Sequence, residues 1–297
     1  MIVNELLNSP RPSPPVPRPC LRAGRFSLPL ERPLIMGIVN ITPDSFSDGG
    51  KFFASGRALD HARRLIEEGA DMLDIGGESS RPGALPVDAD EELRRVLPVL
   101  ERLVELPVPV SVDTSKPEVM RRAIAAGAAM INDIFALRAQ GAMEALAESA
   151  AAVCLMHMQG DPRTMQQAPQ YRDVVGEVEA FLAERAAAAV ACGIGRDRIV
   201  LDPGFGFGKT PQHNLELIRA LPRLREAGYP LLAGLSRKAL FGKIVGREAA
   251  QRVYASAAGA LLAAQRGASI VRVHDVAATR DSLLVLHAIE DTTYSFP

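Results

Sequence analysis

From Pro33 onward, eight short apolar runs are each followed by a longer amphipathic stretch, and this alternation restricts the fold more than any other feature. The runs are PLIMGIVN (33–40), ADMLDIGG (70–77), VPVSVD (108–113), AAMINDI (128–134), AAVCLMH (151–157), RIVLDPG (198–204), PLLAGLS (230–236) and ASIVRVH (268–274). Segments such as GRALDHARRLIEEGA (56–70) and DADEELRRVLPVLERLVEL (88–106) carry helical periodicity between them. Gly69, Gly127, Gly193, Gly228 and Gly267 stand shortly before a run, where helices are expected to end. Continuous apolar strands alternating with helices predict a parallel sheet. Eight such units over about 258 residues suit a single (β/α)8 TIM barrel, with a doubly wound sheet as the alternative. Polar residues gather at the C-terminal ends of the runs: Asn40, Asp74, Asp113, Asn132 with Asp133, His157, Asp202, Ser236, and Arg272 with His274. Barrel enzymes build their sites at that end.

Composition removes several classes. Of the 297 residues 47% are hydrophobic, as in globular proteins, and the net charge of −1 offers no general attraction to nucleic acid or anionic membrane. No uncharged apolar run reaches the roughly 18 residues of a transmembrane helix. Cys20, Cys154 and Cys192 form no CxxC pair, so neither a disulfide framework nor a zinc site is indicated, and a cytoplasmic protein is expected. Residues 1–32 read as a Pro-rich extension, with six of the 22 prolines between Pro10 and Pro19. Proline lacks a backbone donor and fixes φ, so this extension is expected to be unpacked and dispensable, or else a ligand for a partner. No apolar region follows it that would make a secretory signal. The barrel is expected over 33–292 and a short tail over 293–297.

Individual motifs narrow the chemistry. DPGFGFGKT (202–210) is not a Walker A loop, because three residues instead of four separate Gly204 from Gly208. Its glycines would let backbone approach a flat ligand, with Phe205 or Phe207 available to cover it. Asp113 and Asp202 are either helix caps or, with the Asn132 amide, partners for a heterocycle with an amidine-like edge. Asn40, Arg272 and His274 end the first and last runs, which are neighbours in a closed barrel, and Arg plus His suits an oligophosphate. Strand alternation sets Arg272 and His274 on one face and Val273 on the other. His61, His157, His213 and His287 lack metal-ligand spacing and read as packing or surface residues. The loops NITPDSFSDGGKF (40–52) and GGESSRPGA (76–84) are rich enough in polar detail to close over a site, the alternative being ordinary turns. SRKALFG (236–242) brings Ser236, Arg237 and Lys238 to the mouth.

Together, NITPDSFSDGG, DIGGESSRPGA, SVDTSKP, INDI, LMHMQGDPRTMQ, LDPGFGFGK, GLSRK and RVHD resemble dihydropteroate synthase in order and spacing, over roughly 34–290. The resemblance implies a barrel transferase of folate biosynthesis, the target of sulfonamides. Such an enzyme joins 6-hydroxymethyl-7,8-dihydropterin diphosphate to 4-aminobenzoate and releases diphosphate with Mg²⁺. It implies Asp113, Asn132, Asp202 and Lys238 at the pterin edge, with Met156 in the same pocket and Arg272 against the ring. By the same resemblance Asn40 is the Mg²⁺ ligand, and Arg272 with His274 holds diphosphate. Ser80, Arg81, Pro82, Phe207 and Ser236 border the aminobenzoate, and Thr42, Phe46 and Asp48 close the first loop. Asp48, Arg81, Asp113, Lys238, Arg272 and His274 are the residues implied nearest the chemistry. A homodimer through the last helices is also implied. Two departures stand out: Ser80 where the second loop commonly reads ESTRPG, and Ala239 where many members have serine after SRK. The alternatives are a pterin-binding methyltransferase domain and a catalytically silent paralogue that binds pterin.

Overall fold

A computed structural model describes residues 19–41, 51–79, 85–162 and 164–295. Its ten strands are β1 (Cys20–Ala23), β2 (Phe26–Pro29), β3 (Leu34–Asn40), β4 (Met72–Gly76), β5 (Val110–Asp113), β6 (Met130–Asp133), β7 (Ala152–Met156), β8 (Ile199–Asp202), β9 (Leu232–Ala233) and β10 (Ile270–Val273). The helices are α1 (Lys51–Glu67), α2 (Ala89–Leu103), α3 (Pro117–Ala125), α4 (Ala142–Ala147), α5 (Val174–Ala191), α6 (Pro211–Arg219), α7 (Leu221–Arg225), α8 (Ala239–Val245), α9 (Val253–Gln265) and α10 (Val276–Glu290). Strands β3 to β10 form one parallel sheet in the order β8-β7-β6-β5-β4-β3-β10-β9. A parallel bridge from Leu201 to Leu231, with Leu201 N donating to Pro230 O at 2.9 Å, brings β9 back to β8. The sheet thus closes into a (β/α)8 barrel, each strand lying within one of the eight apolar runs.

Period-2 alternation builds two cores from the same strands. Outward residues such as Ile35, Leu73, Ile75, Val112, Ile131, Leu155, Leu201 and Val271 pack against the helices. Inward residues Met36, Met72, Met130, Cys154, Val200, Leu232 and Ile270 fill the lower interior. The helix-ending glycines behave as their positions require: Gly69, Gly127, Gly193, Gly228 and Gly267 all have positive φ.

One boundary must be corrected. The extension was expected to be unpacked through residue 32, yet β1 and β2 form an antiparallel hairpin that plugs the barrel floor. Leu21 and Ala23 are fully buried against Leu34, Met36, Met72, Met130 and Ile270. Gly24 N, at the turn, donates to Ala150 O at 2.9 Å, and Arg25 Nη2 donates to Val104 O at 2.8 Å. An open lower mouth would leave the apolar interior wet, and this hairpin covers it. The Pro-rich stretch through residue 18 lies outside the described residues, as do the last two residues of the expected tail.

Candidate active site

Two residues further along the same inward faces, about 6.6 Å higher, the barrel changes character. Met72 is succeeded by Asp74, Met130 by Asn132, Val200 by Asp202, and Ile270 by Arg272. Asp113 ends β5 and Met156 ends β7, so these side chains surround one mouth. Register sets Asp113 beside Asn132 and Met156 beside Asp202. Asp74 is fully buried, Asn132 and Asp202 nearly so, and the Arg272 side chain is 23% exposed.

Arg272 lies between two carboxylates. Its Nε donates to Asp74 Oδ2 at 2.6 Å and its Nη2 to Asp113 Oδ2 at 3.2 Å. Burial disfavours the guanidinium charge, but Asp74 and Asp113 hold its pKa above the ordinary value. Asn132 Nδ2 donates to the same Asp74 oxygen at 3.2 Å. The carboxylates pay for their seclusion: burial pushes Asp113 up to about 7 and Asp202 up to about 6. Burial also lowers Lys238 to about 8, against the pull of Asp202. Neither aspartate caps a helix. Asp202 Oδ1 accepts from Gly204 N at 2.7 Å, while Thr210 caps α6; Lys116 stands at the start of α3. Both carboxylates are therefore available to a ligand with N–H donors.

The DPGFGFGKT turn is shaped by its neighbour. Gly204 has φ +70°, and a Cβ there would lie 1.9 Å from His157 O. At Gly208, φ +61°, a Cβ would meet Gln159 O at 2.4 Å. These glycines bring the turn against the β7 loop, and Tyr171 Oη donates to Gly208 O at 2.9 Å. The expectation that Phe205 covers a ligand fails, because its ring is buried in the helix-facing core. Phe207 remains: its ring lies 4.3 Å from Lys238 Nζ and borders an apolar wall of Met156, Met158 and Met165.

Asn40 and His274 share a cleft of about 480 Å³ with His61, Arg64, Arg237 and Asp275. Ser236 Oγ accepts from His274 N at 3.1 Å and lies 3.0 Å from His274 Nδ1. Arg237, which lines this cleft at the mouth, makes a two-pronged pair with Asp275 at 3.1 and 2.6 Å. Thr42, Phe46, Asp48, Ser80, Arg81 and Pro82 lie outside the described residues. The stem of the second loop is well held: Lys116 Nζ binds Glu78 Oε2 and, at 2.6 Å, Glu92 Oε2.

Two residues went unassigned in sequence. Asp74 reads in sequence only as a polar strand end, because its partner Arg272 is 198 positions away in the chain. Lys209 is buried, with Nζ 2.9 Å from His157 Nδ1 and donating to Phe207 O at 3.0 Å. Burial and the Lys209 charge lower His157 to about 3, so it is a neutral packing residue, as expected.

Residues 36–274 match the family model described as "Pterin binding enzyme". A curated relative, dihydropteroate synthase of Neisseria meningitidis serogroup C, is 54% identical over 90% of this chain and 96% of its own. Among solved structures, Xanthomonas albilineans dihydropteroate synthase with 4-aminobenzoic acid is 56% identical, with TM-score 0.88, covering 93% of this chain and 100% of that one. The same enzyme in complex with 7,8-dihydropteroate is 54% identical, with TM-score 0.84, covering 92% and 100%. No helix among the described residues is long and apolar enough to cross a membrane.

Proposed function

This chain belongs to the pterin-binding enzymes as a dihydropteroate synthase, and on that premise we propose how its own residues divide the reaction. The enzyme condenses 6-hydroxymethyl-7,8-dihydropterin diphosphate with 4-aminobenzoate, giving 7,8-dihydropteroate and diphosphate. The observation that carries the division is the mouth itself: Asp113, Asn132, Asp202 and Arg272 on four strands, with Lys238 at the start of α8, around one opening. Asp202 accepts from the amino–amide edge of the pterin, Asn132 and Asp113 hold its other edge, and Lys238 supplies a donor. Arg272, fixed between its carboxylates, lies against the ring and reaches the diphosphate with His274.

An arylamine is neutral and nucleophilic at neutral pH, so attack needs no strong general base. Departure of diphosphate from the exocyclic CH₂ is the harder step, and we assign it to a dissociative, SN1-like displacement. Positive charge then develops on the pterin beside Asp113 and Asp202, while Arg272 and His274 receive the leaving group. Phe207 and Ser236, with Ser80, Arg81 and Pro82, border the aminobenzoate, and Thr42, Phe46 and Asp48 close the first loop and exclude water. Ser80 keeps a hydroxyl where threonine is common, and Ala239 has none to offer where serine is common.

No group of three or more His, Cys, Asp or Glu among the described residues is arranged to hold a metal. A single exposed carboxamide oxygen, that of Asn40 beside His274, fits Mg²⁺ of the kind that keeps most of its waters and arrives on substrate phosphates. Asn40 would hold it there, and the ion would supply charge neutralisation for the leaving diphosphate. Asn40→Ala is expected to lower turnover about tenfold or more while pterin affinity stays within about twofold. Normal turnover across a magnesium titration would remove Asn40 from that role.

Exposed Tyr254, Leu262, Leu284, Val285 and Ile289 on α9 and α10 support a homodimer through these helices, testable by sedimentation. The unpaired cysteines support a cytoplasmic location. Release of diphosphate from a mixture of both substrates and Mg²⁺ tests the activity; pterin binding without release would identify a silent binder.

A further inference from the structure

Below the pterin-edge residues sits a carboxylate that none of the steps above uses. Asp74 is the middle residue of β4, paired in register with Ile38 and Ser111, and no part of it reaches solvent. Its Oδ2 accepts from Arg272 Nε at 2.6 Å and from Asn132 Nδ2 at 3.2 Å. These partners stand one residue before the ends of β10 and β6, each two strands away from β4 in the sheet and on opposite sides of it. One oxygen atom therefore links the residue assigned to the diphosphate with a residue assigned to the pterin edge.

The linkage constrains both partners. With Nε on Asp74 and Nη2 on Asp113, the Arg272 guanidinium is fixed in plane as well as in place. Asn132 could present either end of its amide to a ligand, but with Nδ2 committed to Asp74 its oxygen is turned the other way. That oxygen, Asn132 Oδ1, is buried and has no partner among the described residues. Asp74 Oδ1 and Ser111 Oγ are also buried without partners among those residues. Buried polar atoms left unpaired are costly, and such atoms gathered at one site indicate a place built for a further polar occupant.

We propose that Asp74 is a positioning residue for the synthase reaction, holding Arg272 for the departing diphosphate and turning the Asn132 oxygen toward the pterin. The inference rests on the roles assigned above to Arg272 and Asn132. Asp74 does not touch the reacting atoms; it acts through these two side chains.

Asp74→Asn preserves the shape of the side chain, removes its charge and weakens its grip on the guanidinium. Loss of a charged hydrogen bond corresponds to about ten- to a hundredfold, and this is the expected fall in kcat. The KM for 4-aminobenzoate should stay within about twofold, because nothing on that side is disturbed. Inhibition by inorganic diphosphate should weaken about tenfold, a readout that a merely structural role would not move. A double-mutant cycle with Arg272→Met decides the matter. If Asp74 acts through Arg272, adding Asp74→Asn to Arg272→Met costs far less than it does in the wild-type background. Full additivity would overturn the inference. If Arg272→Met alone left turnover and diphosphate inhibition unchanged, the role of Arg272 itself would fall, and the positioning role with it. Should Asp74→Asn fail to fold, Asp74→Ser, smaller and neutral, is carried through the same cycle.

Discussion

The two ends of this barrel interior are made by the same strands, two residues apart, and are opposite in chemistry. At the floor, Met36, Met72, Met130, Val200, Leu232 and Ile270 meet a hairpin that contributes Leu21 and Ala23. At the mouth, Asp74, Asn132 and Asp202 are buried polar side chains, with Asp113 and Arg272 only partly exposed beside them. The floor gains from burial, at about 25 cal/mol per Å² of apolar surface. The mouth loses by it, as the raised carboxylates show. Stability and binding are therefore lodged in different layers, and substitutions in each should change one property and spare the other.

The largest effect is expected at the floor. Removing residues 1–30 strips the plug and should lower the melting temperature by well over several degrees. Leu21→Ala alone should cost about 2–5 kcal/mol, the range for large-to-small changes at buried leucine. At temperatures far below the melt, kcat of Leu21→Ala should stay within about twofold of wild type. A truncated protein that melts as the full chain does would return the hairpin to the dispensable extension expected from sequence.

A smaller effect, of the opposite kind, is expected at the mouth. Asp202→Asn sets a donor against the donors of the pterin edge and should weaken pterin binding by about ten- to a hundredfold, for roughly 1.5–3 kcal/mol. Its melting temperature should not fall, because the carboxylate is already disfavoured by burial in the free protein. Calorimetric titration checks the first half and a thermal melt the second; unchanged affinity would remove Asp202 from the site.

The smallest is the pH dependence of that binding. Asp202 is raised to about 6 by burial, held down in part by Gly204 N, Lys238, Lys209 and Arg272. A pterin edge that donates hydrogen bonds binds the ionised carboxylate, so affinity is full above that value and lost as pH falls through it. Between pH 7 and pH 5 protonation of Asp202 alone should weaken binding about tenfold, and Asp113, raised to about 7 by burial, adds to the loss in the same interval. The same raised pKa means that the free protein is stabilised by mild acid, since the folded state holds a proton the unfolded chain has released. A dissociation constant flat across that interval would place the donors elsewhere.

Much of this was legible in the sequence because it is periodic or terminal. Eight continuous apolar runs specify a parallel sheet, and polar residues at the ends of those runs specify the mouth. Asp113, Asn132, Asp202 and Arg272 are legible because each is a polar residue at or within two positions of the end of its apolar run. The hairpin escaped because Cys20–Ala23 and Phe26–Pro29 are four residues each, too short to establish a period, and follow a proline cluster. The capping alternative for Asp113 and Asp202 is decided only in three dimensions, where Thr210 and Lys116 occupy the cap positions. Asp74 and Lys209 escaped for a different reason. Their roles lie in partners on other strands and loops, and nothing local to Asp74 in DIGG or to Lys209 in FGK announces them.

The two-residue step between floor and mouth also governs how such a chain can change over generations. Replacing a residue at one inward position adjusts a single contact, so the site can be retuned by point substitution. Inserting or deleting one residue within β4 would send Asp74 outward among the helices and bring a neighbouring apolar side chain into the pocket. The same holds for β6, β8 and β10. Changes in length are therefore confined to the connections between strands and helices, and the strands can evolve in letters but not in number.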